Sequence, residues 1–458
     1  MIPLTLQEAA IACGGSVAGG DPATVLTGVT TDSRAVRPGE LFVGIRGERF
    51  DGGSFAAAAL AAGASAVAVE PAAAAGLPPS APRVVVGDGL QALQGLAAAV
   101  RRRIRARVVA VTGSTGKTST KDILAALLRP LAHTVASEGN YNTEVGVPLT
   151  LLAVETDTEV VVTELAMRGR GQIRELARLV APDVGIITNV APVHLELVGD
   201  IAGVAAAKAE LIEELGANSV VVPGDEPLLR PYLARHKGRI VTFGESRADV
   251  HLVDVEYGAD GTRAVVDAYG RRASLHFNFT GAHYVVDALA ALGAFLELGF
   301  ALSDARGGAG SIVFSALRGE VVQLHGGGFL LNDSYNANPL AVRAAVDHLL
   351  QLAAGRPAVA ILGDMRELGA EAPRYHAEVG AYVAERGVRL VAVGELARAF
   401  LTGAAGGSWY ATVEECVVAL PDEVPPGSAV LVKASRALRL ERIADALAAA
   451  AAEEADRV

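Results

Sequence analysis

The sequence predicts an α/β protein of three domains: a small N-terminal α/β domain, a central doubly wound sheet and a C-terminal Rossmann-like α/β domain. The chain has 458 residues, and one domain takes roughly 150 residues. Short apolar runs alternate with helical patterns over much of the chain, which is typical of parallel sheets. Two stretches rich in Pro, Gly and Ala, at 71–82 and 302–310, separate the patterned segments and are candidate boundaries.

The composition excludes several classes of protein. There are 40 Lys and Arg residues against 51 Asp and Glu, a net charge of −11, so no general basic surface is available for nucleic acid. The sequence contains neither a convincing membrane span nor a secretory signal, so we expect a cytoplasmic protein. Cys13 and Cys416 lie far apart. They provide no disulfide framework or zinc site, and we interpret both as small apolar residues.

The N-terminal domain, residues 1–85, is predicted from short elements. Strands are expected at Leu41–Ile45 and Ala66–Val69, and an Ala-rich helix is expected at Phe55–Ala62. They indicate a small α/β unit.

The central domain, residues 86–308, begins with a helix from Leu90 to about Ile104. The apolar run Val108–Val111 then reads as a buried parallel strand. Helical patterns between this run and later ones predict helices on both faces of the sheet. The C-terminal domain, residues 309–458, repeats the pattern. The remaining predicted strands are Val160–Thr163, Val184–Thr188, Val220–Val222, Ile240–Phe243, Ala358–Leu362, Leu390–Val393 and Ala429–Val432.

A glycine loop follows the strand Val108–Val111 and precedes an apolar-periodic helix that Pro130 ends. In this context glycines let backbone N–H groups converge on phosphate, a lysine reaches the outer phosphates, and a Thr hydroxyl can bind Mg²⁺. The loop reads G-x-x-G-K-T, shorter than the strict P-loop pattern, and the alternative is a turn without ligand. We predict a P-loop-type ATPase sheet. The loop residues are Gly113, Ser114, Thr115, Gly116, Lys117, Thr118 and Ser119.

Ionisable residues also follow three predicted strands. Glu164, His194 and Asp364 stand where ligands bind in open α/β sheets, outside the carboxyl ends of the strands. Glu164 and His194 belong to the sheet of the phosphate loop and could bind Mg²⁺ directly or through water. The alternative for each residue is a capping or salt-bridging role in a loop.

Two helices carry further signals. Lys208 falls on the apolar face of a helix from about Ile201 to Leu215, so we expect a partly buried amine. That amine either extends to water or belongs to a site. Asn338 and Pro339 fit the N-cap and first position of another helix.

Taken together, these motifs resemble the Mur ligase family, ATP-dependent enzymes that form amide bonds in peptidoglycan precursors. The resemblance runs almost end to end and is greatest to the branch that uses D-alanyl-D-alanine, because of Tyr335–Pro339 and Gly363–Gly369. The other matching segments are Thr31–Arg34, Pro38–Val43, Thr112–Ser119, Gly139–Asn142, Gly146–Pro148, Glu164–Leu165, His194–Glu196, Ala207–Lys208, Asp333–Ser334 and Lys433 with Ser435–Arg436.

The resemblance implies that ATP phosphorylates the carboxylate of UDP-N-acetylmuramoyl-tripeptide and that the amine of D-alanyl-D-alanine then attacks the acyl phosphate. It implies a monomer that serves cell wall biogenesis, and through it cell shape and division. The N-terminal, central and C-terminal domains would hold the UDP-sugar nucleotide, ATP and the dipeptide, respectively.

The resemblance also implies roles for individual residues. Catalytic roles fall to Lys117, Glu164, His194 and Lys208, the last as a carbamate formed with CO₂; Mg²⁺ would be held by Thr118, Glu164 and His194. ATP contacts fall to the phosphate loop with His283, Arg318 and Asp333. Substrate contacts fall to Asp32, Ser33, Arg34, Asn140, Asn142, Thr143, Tyr335, Asn336 and Asn338.

The sequence departs from the family pattern near the expected adenine, where Tyr284 and Asp287 replace asparagines. The other departures are Thr143, Ala166, Gln172, Asn332 and Ala434. Two alternatives to a ligase that uses D-alanyl-D-alanine remain. One is another amide ligase of the same fold with a different amine substrate, such as a folylpolyglutamate synthase-like enzyme. The other is a binding protein in which ATP is only a conformational ligand.

Overall fold

The structure is a computed structural model that describes residues 1–258, 260–404 and 406–455. Its three main sheets contain five, nine and six strands and follow one another along the chain. This is the three-domain α/β architecture that the sequence predicts, and the boundaries after residues 85 and 308 stay predictions. Within the described residues, no helix combines the length and the apolar character that crossing a membrane requires.

The N-terminal sheet consists mainly of parallel strands. The strands are β1 (Leu4–Thr5), β2 (Ser16–Ala18), β3 (Val25–Leu26), β4 (Gly28–Thr30), β5 (Glu40–Val43), β6 (Ala66–Val69) and β7 (Arg83–Val85), and the helices are α1 (Leu6–Ala12), α2 (Ala56–Ala61) and α3 (Pro71–Ala75). The sheet order is β2-β7-β6-β5-β4, with β2 antiparallel, and β1 pairs only with β3. The predicted strands and helix of this region are therefore present.

The central sheet has the order β16-β15-β14-β13-β12-β11-β8-β10-β9. Its strands are β8 (Arg107–Thr112), β9 (Thr134–Ala136), β10 (Val160–Glu164), β11 (Val184–Ile187), β12 (Ser219–Pro223), β13 (Ile240–Gly244), β14 (Val250–Gly258), β15 (Gly261–Ala268) and β16 (Arg271–Phe277). The helices are α4 (Gly89–Arg101), α5 (Lys117–Leu128), α6 (Gly146–Leu152), α7 (Gln172–Val180), α8 (Leu195–Val198), α9 (Ile201–Leu215), α10 (Arg230–Leu233), α11 (Ala282–Glu297) and α12 (Arg306–Ala309).

Both faces of the central sheet are buried, as predicted. On β8, Val108 and Ala110 pack into a cluster with α4, α7 and α9, while Val109 and Val111 pack into a second cluster with α5 and α11. Alternate residues of a strand point to opposite faces, so a continuous apolar run is required when helices cover both.

The central sheet also contains an antiparallel part that the sequence analysis did not predict. The strands β14, β15 and β16 form an antiparallel meander at one edge. The strand β16 alternates between exposed and buried residues, because only one of its faces packs against the core. Such strands lack the apolar runs that identified their neighbours.

The C-terminal sheet has the order β17-β18-β22-β19-β20-β21, and only β17 is antiparallel. Its strands are β17 (Glu320–Gln323), β18 (Phe329–Asn332), β19 (Ala358–Gly363), β20 (Arg389–Val393), β21 (Ser408–Tyr410) and β22 (Ala429–Lys433). The helices are α13 (Pro339–Ala353), α14 (Ala372–Glu385), α15 (Phe400–Gly403), α16 (Val413–Glu423) and α17 (Glu441–Ala455). Short 3-10 helices lie at Gly52–Phe55, Pro227–Leu229, Leu302–Ala305, His325–Gly327, Gly369–Glu371, Leu396–Ala399 and Arg436–Leu438.

Two smaller predictions are confirmed in these domains. The side chain of Asn338 accepts the N–H of Ala341 at 3.0 Å, so it caps α13 while Pro339 takes the first helical position. Cys13 and Cys416 carry free thiols, and Cys416 is fully buried in the C-terminal core.

Candidate active site

The phosphate loop lies between the carboxyl end of β8 and the N-terminus of α5, as the sequence predicts. Gly116 has a φ of +77°, and a Cβ there would collide with the carboxylate of Asp287. A Cβ on Gly113 would collide with the hydroxyl of Thr188. Both positions therefore require glycine, and the loop can bring its backbone N–H groups close to an anion.

The segment after β11 contacts and supports the phosphate loop, and no sequence pattern indicated this contact. The side chain of Asn189 accepts the N–H of Thr115 at 3.0 Å and donates to its hydroxyl at 2.8 Å. The hydroxyl of Ser114 donates to the carbonyl of Ala191 at 2.9 Å. The loop is therefore held in shape before any ligand arrives.

Lys117 folds back over this loop and donates to the carbonyl of Gly113 at 2.8 Å. Desolvation lowers the pKa of its amine, while the nearby charge of Glu164 opposes that effect. An incoming phosphate would supply further negative charge to this half-buried amine.

Glu164, at the end of β10, is buried against the start of α5. The hydroxyl of Thr118 donates to its Oε2 at 2.7 Å, and the amide of Asn142 donates to its Oε1 at 2.8 Å. The structure thus brings together two of the three predicted Mg²⁺ ligands. A hydroxyl and a carboxylate are hard oxygen donors, so this donor set fits Mg²⁺.

His194 lies on the same side of the sheet but contacts the C-terminal domain. It has a φ of +53°, and its Nδ1 lies against a carboxylate oxygen of Glu367. This contact with His194 lowers the pKa of Glu367. Glu367 was part of a matched motif but had no predicted role. Its position leaves the other ring nitrogen of His194 as the available ligand atom.

Lys208 is more buried than the sequence suggests. It is 1% exposed on α9, and burial lowers the pKa of its amine far below the usual value, with the charge of Lys117 adding to the effect. Among the residues that the structure describes, its amine has no hydrogen-bond partner and does not line the cleft defined below. It therefore lies behind the wall of the site.

Another side of the site is formed by α11 and by the segment before β17. Asp287 is buried beneath the phosphate loop, where its carboxylate accepts the hydroxyl of Ser119 at 2.5 Å. Burial raises the pKa of Asp287 to about 7. Tyr284 stacks on Phe314, with ring centroids 4.4 Å apart, and packs against His283. Tyrosine and aspartate stand in place of the expected asparagines, and both side chains are buried.

The C-terminal domain closes the site from the other side. The guanidinium of Arg318 lies 4.2 Å from the centre of the Tyr335 ring. Lys433, at the end of β22, pairs with Asp333 at 2.6 Å and donates to the carbonyl of Asn336 at 2.9 Å. Asp333 is therefore already satisfied by a lysine in this conformation.

A single cleft of about 1810 Å³ joins these groups. Its wall includes α4 residues such as Gln91 and Gln94, so the segment that follows the N-terminal sheet also borders it. The predicted site residues that line it are Ser114, Thr115, Gly116, Lys117, Thr118, Ser119, Asn140, Asn142, Thr143, Glu164, His194, His283, Arg318, Asp333, Tyr335, Asn336 and Asn338.

Other predicted residues lie outside the cleft. Asp32, Ser33 and Arg34 follow β4, where Asp32 and Arg34 form an exposed ion pair at 2.7 Å. The contact with Arg34 lowers the pKa of Asp32 to about 2. Asp364 lines a second cavity of about 760 Å³ and accepts the N–H of Ala397. This contact fits the capping role that the sequence analysis gave as its alternative.

Comparison with protein families agrees with this arrangement. Residues 25–101 match the model described as the Mur ligase family catalytic domain. Residues 111–295 match the Mur ligase middle domain, and 317–436 match the Mur ligase glutamate ligase domain. The chain belongs to the Mur ligase family.

Individual Mur ligases match over nearly the whole chain. The UDP-N-acetylmuramoyl-tripeptide--D-alanyl-D-alanine ligase of Bacillus subtilis (strain 168) is 35% identical over 434 residues, covering 92% of this chain and 93% of the relative. A crystal structure of MurF from Acinetobacter baumannii aligns with a TM-score of 0.88 and 30% identity, covering 98% and 99% of the two chains. MurF from Thermotoga maritima in complex with ADP aligns with a TM-score of 0.80 and 28% identity, covering 93% and 98%.

Proposed function

We propose that the chain is an ATP-dependent, ADP-forming ligase that joins D-alanyl-D-alanine to UDP-N-acetylmuramoyl-tripeptide. The observation that carries this proposal is one cleft in which the phosphate loop, Glu164 and the C-terminal segment Tyr335–Asn338 meet. Its support is the near full-length similarity to ligases named for this reaction and to a MurF that binds ADP. An amide ligase with a different amine is less favoured, because these relatives carry the name of the D-alanyl-D-alanine enzyme.

The first step is the transfer of a phosphoryl group. An oxygen of the tripeptide carboxylate attacks the γ-phosphorus of ATP, ADP leaves, and an acyl phosphate results. Lys117 and the N–H groups of the loop hold the phosphates. Thr118, Glu164 and His194 would hold Mg²⁺, which supplies neutralisation of the charge on the transferring group.

The second step forms the amide. The free amine of D-alanyl-D-alanine attacks the acyl carbonyl, inorganic phosphate leaves, and the amine loses a proton. Tyr335, Asn336 and Asn338 reach the cleft from the C-terminal domain and are suited to orient the dipeptide. Closure of that domain would also exclude water, which would otherwise hydrolyse the acyl phosphate.

The UDP-linked substrate would extend from the cleft towards the N-terminal domain. Asn140, Asn142 and Thr143 line the cleft beside Glu164 and are proposed to contact the tripeptide. The Asp32–Arg34 segment is proposed to bind the uridine nucleotide. His283, Arg318 and Asp333 remain proposed contacts of ATP.

Lys208 is proposed to carry a carbamate. Burial lowers the pKa of its amine and so favours the neutral form, which is the form that attacks CO₂. Loss of a proton then leaves an anion on the side chain, which would be compensated by the charge of Lys117. The buried lysine would thereby become an acidic group behind the phosphate site.

We further propose that the chain works as a monomer in the cytoplasm, where ATP and UDP-linked precursors are available. Its product, the UDP-linked pentapeptide, would serve peptidoglycan synthesis. The proposed substrates include neither nucleic acid nor membrane lipid.

Phosphate release from ATP tests the assignment. We expect release with UDP-N-acetylmuramoyl-tripeptide to depend on D-alanyl-D-alanine and to yield the pentapeptide, as detected by mass spectrometry. Release that is stimulated equally by an unrelated amino acid, or without any amine, would contradict the proposal.

A further inference from the structure

A buried ion pair lies on α5, one turn beyond Lys117, among residues to which the sequence assigned no role. The amine of Lys121 lies 2.7 Å from Oδ1 of Asp122, and the Lys121 side chain is 2% exposed. Removing such charges from water is costly unless several partners satisfy them. The remaining contacts of the pair therefore indicate what it supports.

Lys121 supports the wall that carries Glu164. Its amine donates to the carbonyl of Ser137 at 2.8 Å. The hydroxyl of Ser137 in turn accepts the backbone N–H of Glu164 at 3.2 Å and the hydroxyl of Thr150 at 3.2 Å. Ser137 is also the residue from which the chain enters the loop containing Asn142. One ammonium group thus fixes the base of the substrate-side loop.

Asp122 supports the opposite wall. Its Oδ2 accepts the backbone N–H of Ser315 at 2.9 Å and the hydroxyl of the same residue at 3.0 Å. Three residues later Arg318 enters the cleft, and the carbonyl of Leu317 accepts the N–H of Tyr335 at 3.2 Å. One carboxylate thus anchors the segment that joins the central sheet to the C-terminal sheet.

We propose that the Lys121–Asp122 pair has a positioning role: it fixes the wall that carries Glu164 and the wall that carries Arg318 relative to each other. Lys121 acts on Glu164 through Ser137. Asp122 acts on Arg318, three residues beyond its partner. Neither member of the pair lines the cleft, so their effect on a nucleotide is indirect. The inference rests on the proposed function, because it takes ATP or ADP as the ligand between these walls.

Two variants and a control test the proposal, with ADP as the probe in calorimetric titrations. Asp122→Asn leaves a weaker acceptor for Ser315 and is expected to weaken ADP binding about tenfold. Ser315→Ala removes only the hydroxyl bond and is expected to weaken it about threefold. Ser311→Ala is the matched control, since this exposed hydroxyl of the same segment bonds to no residue that the structure describes. Its ADP affinity should equal that of the wild type.

The double variant separates positioning from general stability. If Asp122 acts through Ser315, Ser315→Ala should weaken ADP binding by less in the Asp122→Asn background than it does in the wild type. A purely structural role would lower the melting temperature but leave ADP affinity unchanged well below it. Circular dichroism establishes which variants are folded, and Ser315→Ala decides the question alone if Asp122→Asn does not fold.

The outcomes distinguish the two proposals. ADP affinities within about twofold of the wild type in folded variants, or fully additive effects, would overturn the positioning role and leave the proposed function intact. Failure of the wild-type chain to bind ADP would instead overturn the proposed function, and this inference with it.

Discussion

Asp287→Asn is the most informative single substitution in the site, because it removes a charge while keeping the shape. Asp287 is buried beneath the phosphate loop and accepts the hydroxyl of Ser119 at 2.5 Å. The amide oxygen of asparagine can accept the same bond, and its NH₂ group takes the position of the Oδ1 that lies near Gly116. The substitution therefore isolates the effect of the carboxylate charge.

The magnitude follows from the pKa of Asp287. Desolvation raises it from 3.8 to about 7, although the bond from Ser119 and the charge of Arg318 oppose the effect. The other groups that face this carboxyl are Thr120 on α5 and Tyr284 on α11. Each pKa unit corresponds to about 1.4 kcal/mol. Ionisation of Asp287 therefore lowers the free energy of unfolding by about 4 kcal/mol.

The direction of the pKa shift of Asp287 determines the pH range over which the stability of the fold changes. Below pH 3.8 the carboxyl is protonated in both the folded and the unfolded chain, and no penalty arises. As the pH rises towards 7, only the unfolded chain ionises, so the stability of the fold decreases. Asp287→Asn should therefore increase the free energy of unfolding by about 2 kcal/mol at pH 5 and about 4 kcal/mol at pH 8.

Urea denaturation of both proteins at the two pH values measures this difference. ADP titrations between pH 6 and pH 8 provide a second readout. The wild type should lose affinity as Asp287 ionises beneath the phosphates, whereas the variant should show only the titration of ADP itself. Equal pH dependence of stability and of affinity in the two proteins would refute the reasoning.

The remaining predictions concern the loop and its neighbours. Gly116→Ala should abolish measurable ADP binding in calorimetry, because its Cβ would collide with Asp287 at a φ of +77°; retained affinity would contradict this. Glu164→Gln should lower the rate of phosphate release by about 100-fold or more while Mg²⁺-free ADP binding stays intact, as kinetics and calorimetry would show. Lys208→Ala should lose activity that acetate partly restores, and full activity without acetate would contradict the carbamate.

The parts of the fold that the sequence predicted are those with an unambiguous physical signal. Strands such as Val108–Val111 are buried on both faces, which leaves only apolar residues possible. The meander β14–β16 was missed because its strands are partly exposed and carry charges. Two features could have indicated the meander. They are the alternating polarity of β16 and the turn at Tyr269–Gly270, where both residues have positive φ.

The candidate site likewise contains residues that a local sequence pattern indicates and residues that no such pattern indicates. The phosphate loop and Glu164 follow from topology, since the carboxyl ends of adjacent parallel strands lie side by side. Asn189 and the Lys121–Asp122 pair were missed, because their partners are distant in sequence. Ser315 lies 193 residues from Asp122, and no local spacing indicates such a contact. Sequence patterns can therefore identify the groups that meet a ligand more readily than those that hold them in place.

The cost of the buried charges explains how an acidic chain can bind anions. Burial lowers the pKa values of Lys117 and Lys208, and Lys117 lowers that of Lys208 further. The positive charge of Lys117 is thus unfavourable in the cleft until a negative group joins it. Phosphate groups supply that charge, so binding energy is gained at the loop and owes little to the net charge of −11. Asp287 ionises beneath the same loop when the pH exceeds about 7, and its negative charge then opposes the binding of phosphate.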